Sequence, residues 1–210
     1  MRRRSRPDAD VGAVFIDVMN GGPRMTGATP LDRYTKVAVG LHWLIALIVI
    51  GNLVGGLTID AFLDSADPAM VAWGRTIMGV HKAMGLLVIA LTLVRIGWRL
   101  ANPPPPLPAH MTPLERRLAG LGHLAFYMLL LALPLTGWAL VSTGKVPRPV
   151  SIFGMFDVPP LPLPAALHGA AGQGHELLGW VMVATLALHV LAAVKHHWFD
   201  RDNLLARMRF

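Results

Sequence analysis

An apolar segment near the carboxyl end indicates how this chain folds. Residues 175–198 read HELLGWVMVATLALHVLAAVKHHW. The 18 positions of Leu177–Val194 carry no charge, which is enough for a helix through most of the roughly 30 Å hydrocarbon layer of a bilayer. Lys195 and Trp198 follow this run, and basic and aromatic residues are typical of a membrane–water interface. The stretch therefore predicts a membrane-spanning helix.

Three further segments have the same character: Val37–Ile59, Ile77–Leu100 and Leu118–Gly144. Two charges, Lys82 and Arg95, interrupt the second segment, where a long side chain can extend to the interface or meet a buried partner. Pro134 in the third segment is compatible with a kinked transmembrane helix. The sequence therefore predicts an all-α integral membrane four-helix bundle.

The composition excludes several other classes of protein. The chain is 54% hydrophobic and 15% charged, with a mean hydropathy of +0.51, which is unusual for a soluble domain of 210 residues. The net charge is +7, but the basic residues flank the apolar segments, so the pattern indicates membrane topology and no nucleic-acid partner. Cysteine is absent, which excludes disulfides, iron–sulfur clusters and covalently attached haem.

The distribution of charge predicts the orientation and the flanking regions. Fifteen of the 19 Lys and Arg residues lie on one side of the four segments, so the positive-inside rule predicts that both termini are cytoplasmic. We interpret residues 1–30 as a disordered basic tail, with translation starting at Met1 or Met25, residues 31–200 as the membrane domain, and residues 201–210 as a cytoplasmic tail. The proline-rich connections 102–113 and 147–164 are expected to be extended.

Four histidines occur at two matched depths. His175 and His189 lie 14 residues apart, which on a helix is about 21 Å of rise and nearly the same face. His42 lies near the inner end of the first span and His81 near the outer end of the second. We therefore predict an inner pair, His42 with His189, and an outer pair, His81 with His175. Two facing imidazoles in a helical bundle are typical of a b-type haem, whereas zinc or non-haem iron needs three or four ligands at one depth.

The same interval of 14 residues links further positions, namely His42 to Gly56, His81 to Arg95, and His123 to Gly137. We interpret this as two stacked haems, with glycines where a flat ring approaches the backbone and Arg95 paired with the propionates of the inner haem.

The other histidines and the tryptophans in the spans have alternative interpretations. His123 is either an interface residue or a contact to the inner haem or quinone, and His168 is either a loop residue or quinone-facing. Solvated histidines are expected at His110, His196 and His197. Interfacial anchors are expected at Trp43, Trp138 and Trp180.

Several motifs together resemble the bacterial cytochrome b561 family, which is related to hydrogenase cytochrome b subunits. They are LHWL around His42, HKAMGLL from His81, LVRIGWR through Arg95, HLAFY from His123, LPLTGW through Gly137, and HELLGW from His175. The resemblance covers about residues 31–200. It implies a di-haem protein of the bacterial inner membrane, with His42 and His189 on the inner haem and His81 and His175 on the outer one.

The resemblance also implies a function, which is transmembrane electron transfer linked to ubiquinol, with superoxide:ubiquinone oxidoreductase activity at the outer haem. The implied partners are the lipid membrane and the quinone pool, while a redox partner protein and a homodimer stay open. A second interpretation is a membrane-anchoring cytochrome b subunit of a hydrogenase- or formate-dehydrogenase-type complex. A third, a transporter, is disfavoured because the spans contain few polar residues that form a path.

Overall fold

Four long helices make up most of the protein. The computed structural model describes residues 33–108, 111–201 and 204–209. Its long helices are α1 (Lys36–Leu63), α2 (Pro68–Ala101), α3 (Pro113–Ser142) and α4 (His168–Trp198). Each is long and apolar enough to cross a membrane, so the predicted all-α bundle of four spans is confirmed. The predicted tail at residues 1–30, and His110, lie outside the described residues.

The helices extend further than the charge-free runs predicted, most of all α2. It begins at Pro68, not at Ile77, because the side chain of Asp67 accepts a hydrogen bond from the Ala69 amide and Pro68 suits the first turn. The predicted segment begins just after Arg75, because a charge marks the limit of the apolar run. An exposed arginine at the outer end of a membrane helix does not end that helix. The segments predicted from the sequence leave residues 60–76 between the first two helices, but only residues 64–67 separate α1 from α2.

The next two helices also begin earlier than predicted, through local capping. Thr112 and Glu115 form a capping box at the start of α3, with Pro113 in the first turn. α4 begins at His168, directly after a 3-10 turn at Ala165–Leu167.

All four helices contribute to a small apolar core between the two predicted histidine layers. Close backbone packing joins α1 to α2, α2 to α3, and α3 to α4. The buried core residues are Ile45, Val88, Leu129, Leu130 and Met182. Large apolar side chains such as Leu47 and Leu188 are exposed, each at 68%. This arrangement suits a lipid surround, because the hydrocarbon layer replaces water around the outer faces.

The connection between α3 and α4 contains a small hairpin that the sequence did not predict. Strands β1 (Val150–Ile152) and β2 (Phe156–Val158) pair antiparallel, with Val150 opposite Val158. Gly154, with φ of +73°, lies in the turn that joins the strands. A conformation with positive φ is one that glycine adopts without the steric penalty of a Cβ atom. The predicted extended character of this segment thus takes the form of a short sheet.

We call the end of the bundle opposite the hairpin the inner end. Polar contacts there join segments that are distant in sequence. The Trp98 indole donates to Thr35 Oγ1 at 2.9 Å, which joins α2 to the start of α1. The Trp43 indole donates to the carbonyl of Met208 at 2.9 Å, within a 3-10 turn at Leu205–Met208. The described part of the segment predicted as a tail therefore folds back onto α1.

Candidate haem-binding site

The bundle brings the four predicted ligand histidines together in the predicted pairs. The ring centroids of His42 and His189 lie 6.3 Å apart at the inner end, with ring planes at 62°. The ring centroids of His81 and His175 lie 6.1 Å apart at the outer end, with ring planes at 87°. All four rings are half-buried in the bundle. In each pair, a histidine of α4 faces a histidine of α1 or α2.

The spacing of each pair fits a metal held between two imidazoles. Bonds of about 2 Å from a metal to one nitrogen of each ring put the ring centroids about 6 Å apart. A bare metal site fits less well, because no group of three or more His, Cys, Asp or Glu side chains able to hold an ion occurs among residues 33–108, 111–201 and 204–209. Two nitrogens per depth suit haem, in which the porphyrin supplies the other four ligands.

Hydrogen bonds define the tautomer of the outer pair. His81 Nδ1 lies 3.1 Å from the carbonyl oxygen of Asn52, and His175 Nδ1 lies 3.0 Å from the carbonyl oxygen of Leu133. A carbonyl accepts only, so each Nδ1 carries the proton and donates. Each Nε2 then keeps its lone pair, which is the form that binds a metal.

Polar side chains accompany both of these carbonyls. The Asn52 amide donates to the carbonyl of His81 at 3.1 Å, so the two residues are joined by two hydrogen bonds. The Thr136 hydroxyl donates to the carbonyl of Leu133 at 2.7 Å and lies 3.3 Å from His175 Nδ1. Sequence analysis missed both roles, although an asparagine inside the apolar run of α1 was a usable signal.

Gly56 and Gly137, predicted to lie against the haem, lie against the outer histidine rings. A Cβ atom on Gly56 would lie 3.0 Å from His81 Cε1, and one on Gly137 would lie 2.9 Å from His175 Cε1. Any larger residue would therefore have to push the ring away. The contact to the haem itself stays a prediction.

The inner pair has different neighbours. Arg95 interacts electrostatically with His42, His189 and His123. The ring of Phe126 packs on that of His189 at 5.1 Å between centroids. These electrostatic interactions agree with the predicted depth of Arg95, and its pairing with haem propionates stays a prediction.

A cleft opens beside Arg95 at the inner end. Its lining includes Arg95, Arg99 and Trp98 of α2, together with Tyr34 and Tyr127, which are the two tyrosines of the whole chain. The guanidinium of Arg99 lies 6.0 Å from the centroid of the Tyr127 ring. The cleft thus combines cationic and phenolic hydrogen-bond donors with aromatic surface.

The remaining histidines lie away from the two pairs. His168 Nδ1 is 3.4 Å from Thr143 Oγ1 at the outer end, and the imidazole of His196 contacts Asp200 at 3.0 Å. His197 is exposed. None of these three rings joins the paired arrangement.

Comparison with known proteins agrees with this geometry. The family model described as prokaryotic cytochrome b561 matches residues 33–210. The chain is 37% identical to cytochrome b561 homolog 2 of Escherichia coli over 84% of this chain and 91% of that protein. It is 30% identical to a probable superoxide oxidase, CybB, of Yersinia pestis, over 84% of this chain and 95% of that protein. It is also 30% identical to cytochrome b562 of Cereibacter sphaeroides, over 83% of this chain and 94% of that protein.

The family match covers all four spans and both histidine pairs. Haem b is therefore the cofactor of this bundle, and electron transfer in the bacterial inner membrane is its activity. The chain belongs to the prokaryotic cytochrome b561 family.

Proposed function

We propose that this chain carries electrons across the membrane through two b-type haems, one held by His42 and His189 and the other by His81 and His175. The observation that carries the proposal is the near-equal ring spacing of the two pairs, 6.3 and 6.1 Å, at opposite ends of one bundle. When bound, the haem iron supplies reversible one-electron transfer. The four histidines would hold the two haems, and the helices supply the apolar core between the pairs.

The inner pair is assigned to the cytoplasmic side. Arg95, Arg99, Arg116, Arg117 and Lys195 all lie toward the ends of helices at the inner end of the bundle, which suits the positive-inside rule. Reporter fusions test this orientation. A periplasm-dependent reporter joined after Asp64 or Val146 is expected to be active, and one joined after Pro105 is expected to be inactive. The reverse pattern would exchange the inner and outer assignments.

Ubiquinone is the proposed membrane substrate, and the inner cleft is the place we assign to its headgroup. The guanidiniums of Arg95 and Arg99 and the hydroxyls of Tyr34 and Tyr127 are suited to donate hydrogen bonds to the two quinone oxygens. The cleft adjoins the inner pair through Arg95, which is also the proposed partner of the haem propionates. This combination supports exchange of electrons with the quinone pool on the inner side.

Superoxide is the proposed electron donor at the outer side. The support is the 30% identity to a relative named as a probable superoxide oxidase. In this reaction superoxide loses one electron and leaves as dioxygen, and two such electrons with two protons convert ubiquinone to ubiquinol. Lys82 is the cation that interacts with His81 of the outer pair. The outer end as a whole is not strongly basic, because its basic residues are offset by five acidic ones: Asp60, Asp64, Asp67, Asp157 and Glu176.

Haem stoichiometry is the experiment that tests the proposal. Purified protein is expected to contain two non-covalent haems per chain in a pyridine haemochrome assay, and both are expected to be extracted by acidic acetone. A reduced-minus-oxidised spectrum should show two components in a redox titration. One haem per chain, or none, contradicts the assignment of two pairs.

A further inference from the structure

Each of the two outer histidines packs against the adjacent helix in the same way. His81 donates Nδ1–H to the carbonyl of Asn52 and packs on Gly56, four residues further along α1. His175 donates to the carbonyl of Leu133 and packs on Gly137, again four residues further along α3. We call each such carbonyl with its glycine an imidazole seat: Asn52 with Gly56, and Leu133 with Gly137.

The glycines are what make these two hydrogen bonds sterically feasible. On a helix, residues four apart lie on the same face, so a ring that reaches one carbonyl must pass over the residue one turn along. The Cβ positions of Gly56 and Gly137 would lie 3.0 and 2.9 Å from the ring carbons. Alanine at either position would displace the imidazole from its carbonyl.

The inner pair has no such seat in the part of the chain that the structure describes. The neighbours that the structure records for His42 and His189 are each other, Trp43, Phe126, His123 and the charge of Arg95. The two pairs thus differ in the partner of Nδ1, although their ring spacings are alike.

We propose that the two imidazole seats are positioning elements that lower the redox potential of the outer haem. A carbonyl that accepts the Nδ1 proton makes the imidazole a more basic ligand, and a more basic ligand favours ferric over ferrous iron. This inference rests on the proposed haem ligation, and it adds that Gly56 and Gly137 act through the histidines.

Alanine substitutions of the two seat glycines test the proposal. The variants are Gly56→Ala and Gly137→Ala, and the matched controls are Gly51→Ala on α1 and Gly120→Ala on α3, where an added Cβ would meet nothing within 4 Å. Each haem-loaded protein is purified in detergent, its haem content is measured, and it is titrated by redox potentiometry with EPR of the ferric state. The His175→Ala variant identifies which transition belongs to the outer haem.

The expected result is an upward shift of the outer midpoint potential and a changed EPR signal of the outer haem in both seat variants. Selective loss of the outer haem, with the inner transition unchanged, supports the positioning role of the two glycines, and the effect on the potential is then tested at Thr136. Unchanged midpoints and EPR signals in the seat variants, or a shift of the inner transition alone, would overturn it. A wild-type protein with fewer than two haems, or a His175→Ala variant that keeps both transitions, would instead overturn the haem ligation.

Two milder substitutions at Thr136 test the proposal if Gly56→Ala and Gly137→Ala do not assemble with haem. Thr136→Val removes the hydroxyl that lies 3.3 Å from His175 Nδ1, while Thr136→Ser keeps a hydroxyl. We expect the valine variant to change the EPR signal of the outer haem and the serine variant to retain the wild-type signal. Thr185→Val is the control, because its hydroxyl bonds only the carbonyl of Val181. Because the Thr136 hydroxyl donates to the same Leu133 carbonyl that accepts the His175 proton, an unchanged signal in Thr136→Val would overturn the proposed role of that carbonyl.

Discussion

The outer and the inner histidine pairs have nearly the same ring spacing but different surroundings. The outer rings are held by carbonyls of α1 and α3 through Nδ1, with a glycine under each ring. The inner rings contact aromatic neighbours and interact electrostatically with Arg95. The same pairing of two histidines, repeated at two depths, therefore has two different surroundings. Hydrogen bonding acts mainly at one depth and charge at the other.

The largest expected effect is the loss of one haem at a time. His42→Ala and His189→Ala are expected to remove the same haem, and His81→Ala and His175→Ala the other, because in the proposed ligation each haem is held by both histidines of its pair. Haem content should fall from two to one per chain, with the two remaining spectra distinct. His197→Ala, an exposed position, is the control. Loss of the same haem in His42→Ala and His81→Ala would show that the pairs are wrong.

A smaller effect is expected from the charge at the inner depth. Arg95→Ala should keep both haems and lower the midpoint potential of the inner one, because a nearby cation favours the reduced, less positive centre. Arg99→Ala, one turn further along α2 and next to Tyr127, is the matched control and should change that potential less. Redox titration of both variants checks this. If Arg95→Ala shifts the midpoint potential of the outer haem only, then Arg95 lies at the outer depth and the assigned depth order along α2 is wrong.

A still smaller effect is expected between the two depths, at Thr92. Its side chain is fully buried, and Oγ1 has no hydrogen-bond partner among the described residues. An unpaired buried hydroxyl costs about 1–3 kcal/mol, so Thr92→Val should leave the protein equally stable or more stable by about 1 kcal/mol. Thermal unfolding of the haem-loaded protein measures this, with Thr92→Ser as the control that keeps the hydroxyl. Clear destabilisation by valine would mean that the hydroxyl has a partner in the haem-loaded protein.

The smallest effect is expected from the side chain of Asn52. Asn52→Leu removes the hydrogen bond to the carbonyl of His81 but leaves the carbonyl of residue 52 in place. Hydrogen bonds between membrane helices contribute about 0.6 kcal/mol on average, so the loss of stability should be of that size. Both haems should remain. A complete loss of the outer haem would mean that the amide, and not only the carbonyl, holds His81.

Much of the site could be predicted because its main signals are local in the chain. The 14-residue interval between His175 and His189 places two histidines on nearly the same face of a helix, and the apolar runs indicate that this helix spans the membrane. The partners His42 and His81 then follow from depth. In contrast, the true start of α2 depended on the cap at Asp67, which a count of charges does not detect.

The number of spans, the two depths of histidine and the absence of cysteine chemistry follow from the amino-acid sequence. These are properties of residue type and of periodicity along one helix. Only the tertiary structure decided that the carbonyls of Asn52 and Leu133 accept the outer Nδ1 protons and that Gly56 and Gly137 lie beneath the rings. Every residue has a carbonyl, so this acceptor leaves no mark in the sequence. Which carbonyl meets an imidazole depends on how two helices cross and how far each is rotated about its axis.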